Sequence, residues 1–285
     1  MPPSTKTINE LLRKATRHLQ TSTDSPRLDA ELLLAYVLKR DRSHLYSHPE
    51  TLLPAAQLGH YHGLLQRRQR GEPLAYLTGL KEFWSLPLEV TQQVLIPRPE
   101  TELLVELALD CFAPGQSINV ADLGTGSGGI ALALAHERPH WRITATDIST
   151  AALEIARGNA KALALENVRF LPGHWFVPLN AQRLHLIISN PPYIDRHDPH
   201  LQQPELRHEP HQALVSAAHG LRDIMHIIDN SPQHLLAGGF LILEHGFDQG
   251  SAVRKRLEYK GFSAIATHHD LAGHERATLA RWDIE

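Results

Sequence analysis

The chain has 285 residues, 42% of them hydrophobic and 21% charged, which is enough apolar material for one large core or two ordinary ones. A formal charge of -3 supplies no global pull toward nucleic acid and leaves room only for a local basic patch. The single cysteine, Cys111, excludes an intramolecular disulfide and fits a reducing compartment.

The first residues, "MPPSTKTINELLRKATRHLQ", contain no apolar h-region, and no stretch is long enough to span a bilayer. The expectation is a cytoplasmic protein with no membrane partner, monomeric by default. Up to about residue 80, apolar residues recur at helical spacing: Ile8, Leu11, Leu12 and Ala15, then Leu28, Leu32, Leu33, Ala35 and Tyr36. Asp24, Ser25 and Pro26 suit the start of a helix, and Lys39 and Arg40 suit its end, where the dipole favours cations. "LPAAQLGHYHGLLQRRQRGEP" reads as a further helix capped at Gly71. Residues 1–80 are therefore expected to form a small all-α bundle.

Residues 81–98, with "KEFWSLPLEV", read as a β-hairpin or extended linker. From 99 to 285 helical patterns alternate with buried strands. "ETELLVELALDCF" is followed by the strand "INVADLG", "GGIALALAHERP" by "RITATDI", and "AALEIARGNAKAL" by "VRFLPG" and "LHLIISN". "GLRDIMHIIDNSPQHL", "GGFLILEHG", "GSAVRKRLEYKG" and "ATLARWDI" continue the pattern. Such alternation predicts an α/β unit whose mostly parallel sheet carries helices on both faces.

Two junctions carry chemistry. "VADLGTGSGGIALALA" sets Gly124, Gly126, Gly128 and Gly129 between a strand and a helix, so a ligand can approach the backbone and the free N–H groups of the helix start. Glycine-rich turns of this kind serve dinucleotides, flavins and adenosyl cofactors alike. No Gly-Lys-Ser/Thr follows, which excludes a P-loop. Asp147, closing the second strand in "ATDIS", can accept both hydroxyls of a ribose. Asp122 directly precedes the loop, and an acidic residue there suits a cofactor bearing a sulfonium and an ammonium better than a pyrophosphate. The charge pattern points to S-adenosylmethionine rather than NAD.

The second junction is "LIISNPPYID". Leu186, Ile187 and Ile188 form a buried strand, whereas Pro191 and Pro192 lack the donors a sheet needs. Asn190 ends the fourth strand of the α/β unit, so it should face the same crevice as the glycine loop. Its amide and the Pro191 carbonyl can converge on one conjugated NH2 group, with Tyr193 offering an aromatic plane. That set suits methylation of an amide or an exocyclic base amine.

Read together, these motifs resemble the class I, Rossmann-like S-adenosylmethionine-dependent methyltransferases. Within them the chain closely resembles the peptide chain release factor N5-glutamine methyltransferases, the PrmC/HemK family. "SPRLDAELLLAYVLKRDRSHLYSHPE" is similar to that family's N-terminal helical domain, and "EPLAYLTGLKEFWSLPLEV" with "LIPRPETELLVE" to its connection into the second domain. "DLGTGSGGIALALA", "ATDIS", "GHWF", "SNPPYI", "EPHQAL" and "GGFLILEHGFDQG" follow in the family's order. The resemblance implies a seven-stranded sheet in the methyltransferase domain. It implies that Gly124, Thr125, Gly126, Ser127 and Gly128 line the methionine and ribose part of the cofactor, that Asp147 holds the ribose, and that Trp175 lies near the adenine. Asn190 would contact both the substrate amide and the cofactor, with Pro191, Pro192 and Tyr193 completing the pocket. The implied substrate is the glutamine of the Gly-Gly-Gln motif in bacterial class I release factors, and the helical bundle would dock that protein. His174 stands where the family commonly has Asp.

The first alternative is an adenine-N6 methyltransferase on DNA or RNA, which would need a basic track for phosphates. Here 28 Lys and Arg are offset by 31 Asp and Glu, and no direct nucleic-acid substrate is expected. The second alternative, a non-catalytic binding module on the same fold, would not be expected to retain the glycine loop, Asp147 and Asn190 together. The His-rich "HDPHLQQPELRHEPHQ" lacks the spacing of a metal site, and no metal is expected.

Overall fold

The computed structural model describes residues 6–284. They form two compact units. One contains the described residues up to Leu80 together with Gln202–His208, and the other contains Lys81–Leu201 with the residues from Glu209 on.

The first unit is helical: α1 (Ile8–Leu19), α2 (Pro26–Leu38), α3 (Arg42–Ser47), α4 (Ala55–Gln69) and α5 (Leu74–Thr78). Helix α1 starts where the Thr7 hydroxyl accepts from the Glu10 amide and the Glu10 carboxylate accepts from the Thr7 amide, which satisfies two donors that the first turn would otherwise strand. Ile8, Leu11, Leu12, Ala15 and Leu19 make one apolar face, buried with Leu33 and Leu34 of α2 and Tyr61 and Leu64 of α4. Arg68 is only 3% exposed, and donates to Asp29 at 2.7 Å and to Glu205 at 2.5 Å. A buried guanidinium needs such partners, so Gln202–His208 belongs to this unit despite its distance in sequence.

The second unit opens at Lys81, the second residue of β1 (Leu80–Phe83), which forms a hairpin with β2 (Leu86–Glu89). Trp84 and Ser85 turn it with φ of 53° and 59°, the left-handed pair that matches strand twist in a two-residue hairpin. Phe83, Leu86 and Leu88 are buried in the core of this unit, so the hairpin within the expected 81–98 linker packs as part of it.

After α6 (Glu102–Asp110) the chain alternates: β3 (Asn119–Leu123), α7 (Gly129–Glu137), β4 (Arg142–Asp147), α8 (Thr150–Ala162), β5 (Val168–Pro172) and β6 (Leu184–Ser189). The short α9 (His211–Leu214) and α10 (Arg222–Asn230) lead to β7 (Leu235–Glu244), α11 (Gly250–Lys260), β8 (Ser263–His269) and β9 (Glu275–Trp282). Seven strands make one sheet in the order β5-β4-β3-β6-β7-β9-β8, parallel except for β9. Alternate residues feed opposite faces, as a period of two requires. Val120, Leu186 and Ile188 meet α6, α7 and the hairpin, whereas Ala121, Leu123 and Ile187 meet α10 and α11. Leu186, Ile187 and Ile188 are fully buried, each contributing about 1.5–3 kcal/mol of apolar transfer.

The strand order reverses between β3 and β6. Loops leaving their carboxyl ends diverge there, and the crevice between them is where an open α/β sheet accepts ligands. Among the described residues, no helix is long and apolar enough to cross a membrane.

Candidate active site

The register fixes the two junctions side by side. Leu123 of β3 pairs with Ser189 of β6, and the Ser189 hydroxyl donates to the Leu123 carbonyl at 2.6 Å. Gly124 and Asn190 therefore leave the sheet together. The glycine loop is then hung on β4, because the Thr146 carbonyl accepts from both Gly124 and Thr125 amides, at 2.8 and 2.9 Å. Gly124 has φ of +76° and the ring of Trp175 would lie 3.2 Å from any Cβ there; Gly126 has φ of +58° with open space beside it. Both positions need glycine for conformation, and the first also for room.

These residues border a cleft of about 260 Å³, with Gly124, Gly126, Asp147, Trp175, Asn190 and Pro192 on its wall. Thr125, Ser127 and Gly128 do not line it; they shape the loop. The Thr125 hydroxyl donates to Asp122 at 2.6 Å, the Ser127 carbonyl accepts from Asn159 at 2.9 Å, and Gly128 caps α7. Pro191 and Tyr193 are also absent from the wall.

Asp147 accepts from the Gly126 amide through Oδ2 at 2.9 Å and from the Ser149 amide through Oδ1 at 2.8 Å. Each oxygen keeps a further lone pair, so two neighbouring hydroxyls can be held at once. Burial raises this carboxyl above its usual range, against the pull of those backbone donors. Asp122 lies deeper, 1% exposed, and burial pushes it up to about 7. Its Oδ1 has no hydrogen-bond partner, and neither has Trp175 Nε1. An unpartnered carboxylate oxygen buried beside the glycine loop, with Asp147 and the Trp175 indole on the cleft wall, fits an adenosyl group carrying an ammonium and a sulfonium. His174, also on the wall, has its ring 5.7 Å from that of His226, and burial lowers its pKa, favouring the neutral imidazole.

Two side chains that the sequence reading left without a role stand behind Asn190. The Asn190 Nδ2 donates to the Thr101 hydroxyl at 3.0 Å, and Thr101 donates to Glu244 Oε2 at 2.7 Å. The Tyr193 hydroxyl donates to Glu244 Oε1 at 3.1 Å, and its ring packs on the apolar cluster under the sheet. Burial pushes Glu244 up to about 7, and the hydrogen bonds from Thr101 and Tyr193 oppose that rise. Burial also raises the Tyr193 phenol, so it stays a neutral donor. On the other side, Glu209 accepts from Arg98 at 2.5 Å and from the Ile96 amide at 3.2 Å. These contacts brace "IPRP", which follows Leu95, and "EPHQAL", which contains Pro210 and Gln212; Leu95, Pro210 and Gln212 border the cleft. Thr101 and Glu244 lie in stretches already singled out, "LIPRPETELLVE" and "GGFLILEHGFDQG"; a buried acid at a strand end was the available signal. Among the described residues, no group of three or more His, Cys, Asp or Glu side chains is placed to hold a metal ion.

Strand order, glycine loop and Asp147 together define a Rossmann-like, S-adenosylmethionine-dependent methyltransferase. A methyltransferase crystal structure from Pyrococcus furiosus shares this fold, with a TM-score of 0.53 and 18% identity over 70% of this chain and 90% of that one. Residues 10–79 match the PrmC N-terminal domain and residues 100–216 the Methyltransferase small domain. A release factor glutamine methyltransferase from Vibrio cholerae serotype O1 is 50% identical over 281 residues, 98% of each chain. Its namesake from Escherichia coli strain K12 is 49% identical over 95% of this chain and 97% of its own. The chain belongs to the release factor glutamine methyltransferase family.

Proposed function

We propose that this protein transfers a methyl group to the side-chain nitrogen of the glutamine in the Gly-Gly-Gln motif of bacterial class I peptide chain release factors. The observation that carries the reading is the Asn190 amide. Its Nδ2 is committed to Thr101, which leaves Oδ1 to accept a hydrogen bond from a substrate NH2 at the cleft wall.

A carboxamide nitrogen is a poor nucleophile because its lone pair is delocalised into the carbonyl. Asn190 Oδ1 would accept from one of its hydrogens and hold the plane of the group. Bound S-adenosylmethionine supplies an electrophilic methyl on a sulfonium sulfur. Asp147 would hold the ribose, Gly124 and Gly126 would admit the chain beside the backbone, and Trp175 and His174 would flank the base. Positioning of this kind is worth about 7–11 kcal/mol in favourable cases. The glutamine nitrogen would gain the methyl as the carbon–sulfur bond breaks with its electron pair left on sulfur, giving S-adenosylhomocysteine, and would give up one proton to water. Tyr193 takes no part in that proton transfer, since its phenol is held neutral and turned to Glu244. The helical unit formed by residues up to Leu80 is assigned to docking the release factor.

The test is transfer of labelled methyl from S-adenosylmethionine to a purified class I release factor, beside a copy in which the Gly-Gly-Gln glutamine is alanine. Label on the first alone is expected. Label on both would place the acceptor elsewhere, and label on duplex DNA or RNA instead would move the site to adenine.

A further inference from the structure

We infer that Thr101 and Glu244 decide which end of the Asn190 amide faces the cleft, and are thereby positioning residues for the methyl acceptor. This rests on the reading of Asn190 as the grip on a substrate NH2. The side chain of asparagine has two ends of nearly equal shape and opposite hydrogen-bonding sense. Only the carbonyl end can accept from an NH2 group; the other end would set donor against donor. Something must therefore select the rotamer before substrate arrives.

Selection follows from counting hydrogens. The Thr101 hydroxyl has a single proton, and Glu244 Oε2 takes it at 2.7 Å. What remains on Thr101 is lone pairs, and these accept from Asn190 Nδ2 at 3.0 Å. Rotating the Asn190 amide by half a turn would point its carbonyl oxygen at those lone pairs and lose the bond. The other Glu244 oxygen is occupied in the same sense by the Tyr193 hydroxyl at 3.1 Å, so both hydroxyls point toward the carboxylate. Thr101 and Glu244 are 5% and 1% exposed, so little solvent reaches the relay to offer another partner. The three elements involved are separate in sequence: the 3-10 turn Pro99–Thr101, the loop after β6, and the end of β7. Their convergence behind one amide explains why an acid that burial disfavours is kept at the last position of β7.

A double-mutant cycle at about pH 8.5, above the Glu244 pKa of about 7, tests this, because a group acting only through Asn190 has nothing to do once Asn190 is gone. Thr101→Val keeps the shape and removes the hydroxyl, and Thr101→Ser restores it. With a release factor as substrate, Thr101→Val is expected to lower kcat by about tenfold or more, with S-adenosylhomocysteine affinity within about threefold of the parent. Thr101→Ser should recover to within about threefold of the parent. In an Asn190→Ala background, Thr101→Val should change kcat by less than about twofold. Equal losses in both backgrounds, or parental kcat in Thr101→Val, would overturn the inference. Glu244→Met gives a second reading should Thr101→Val not fold. It removes both acceptors at similar length, so the Thr101 proton is no longer held away from Asn190; kcat should fall while S-adenosylhomocysteine affinity holds, and parental kcat would overturn it. A parent enzyme that transfers no methyl to the release factor would instead overturn the substrate reading, and this inference with it.

Discussion

Asn190 and Asp147 border the same cleft and are assigned different work, so their substitutions should separate kinetically. Asn190→Ala removes the acceptor for the substrate amide and should cut kcat by about 100-fold or more, while cofactor affinity stays within a small factor. Asp147→Ala removes a two-oxygen anchor and should weaken cofactor binding first, with titration calorimetry as the readout. Comparable losses of turnover and affinity in both variants would contradict the division. Asp122 makes a different kind of prediction. Burial pushes its carboxyl up to about 7, well above the ordinary value near 3.9, so its contribution to stability is full below about pH 4 and is lost as pH rises to about 7. Asp122→Asn lacks that titration. Without added cofactor, the melting temperature of the variant should gain on the parent between about pH 4 and pH 7; a constant difference would mean that Asp122 does not titrate there. Single residues were unevenly legible. Asn190 and Asp147 stood at strand ends beside Gly and Pro signals, whereas the partners behind them, Thr101 and Glu244, are ordinary residues until the fold brings together positions 143 residues apart.

At the scale of elements, the loop after β6 is held by a neighbour with no part in the cleft. Gly220 has φ of +80°, and a Cβ there would lie 2.0 Å from the Tyr193 carbonyl oxygen, a backbone atom that cannot move without the loop. Gln249 Nε2 donates to that same carbonyl at 2.9 Å. Gly220→Ala should therefore cost about 2–4 kcal/mol and lower kcat through the displaced Asn-Pro-Pro-Tyr segment. Thermal melts and turnover together check this, and an unchanged melting temperature would show that the segment can yield. Most elements could be read from pattern. The α7 stretch is apolar from Gly129 to Ala135 because that part of the helix is buried, and Leu186, Ile187 and Ile188 of β6 form the apolar run of a sheet covered on both faces. Strand β8, "SAIATHH", was not singled out, because an edge strand with exposed and polar positions carries a weak period. The assignment of Gln202–His208 to the helical unit could not be seen in sequence either; it depends on the Arg68–Glu205 pair and on Pro204 packing close to Gly71.

For the whole molecule, composition and topology argue in the same direction. A chain with 28 basic and 31 acidic residues carries no net positive charge to draw a duplex, whereas a glutamine on a protein loop needs a cleft and a docking surface rather than a phosphate path. The fold places Gly124 and Asn190 at the point between β3 and β6 where strand order reverses, so the positions proposed for cofactor loop and acceptor grip follow from the same register. The most direct measurement is tandem mass spectrometry of a class I release factor after reaction with the enzyme and S-adenosylmethionine. The expected result is a single added methyl on the side-chain nitrogen of the Gly-Gly-Gln glutamine, formed about 100-fold or more slowly when Asn190→Ala replaces the parent enzyme. A methyl on any other residue, or one formed at the parental rate with Asn190→Ala, would contradict the proposed grip.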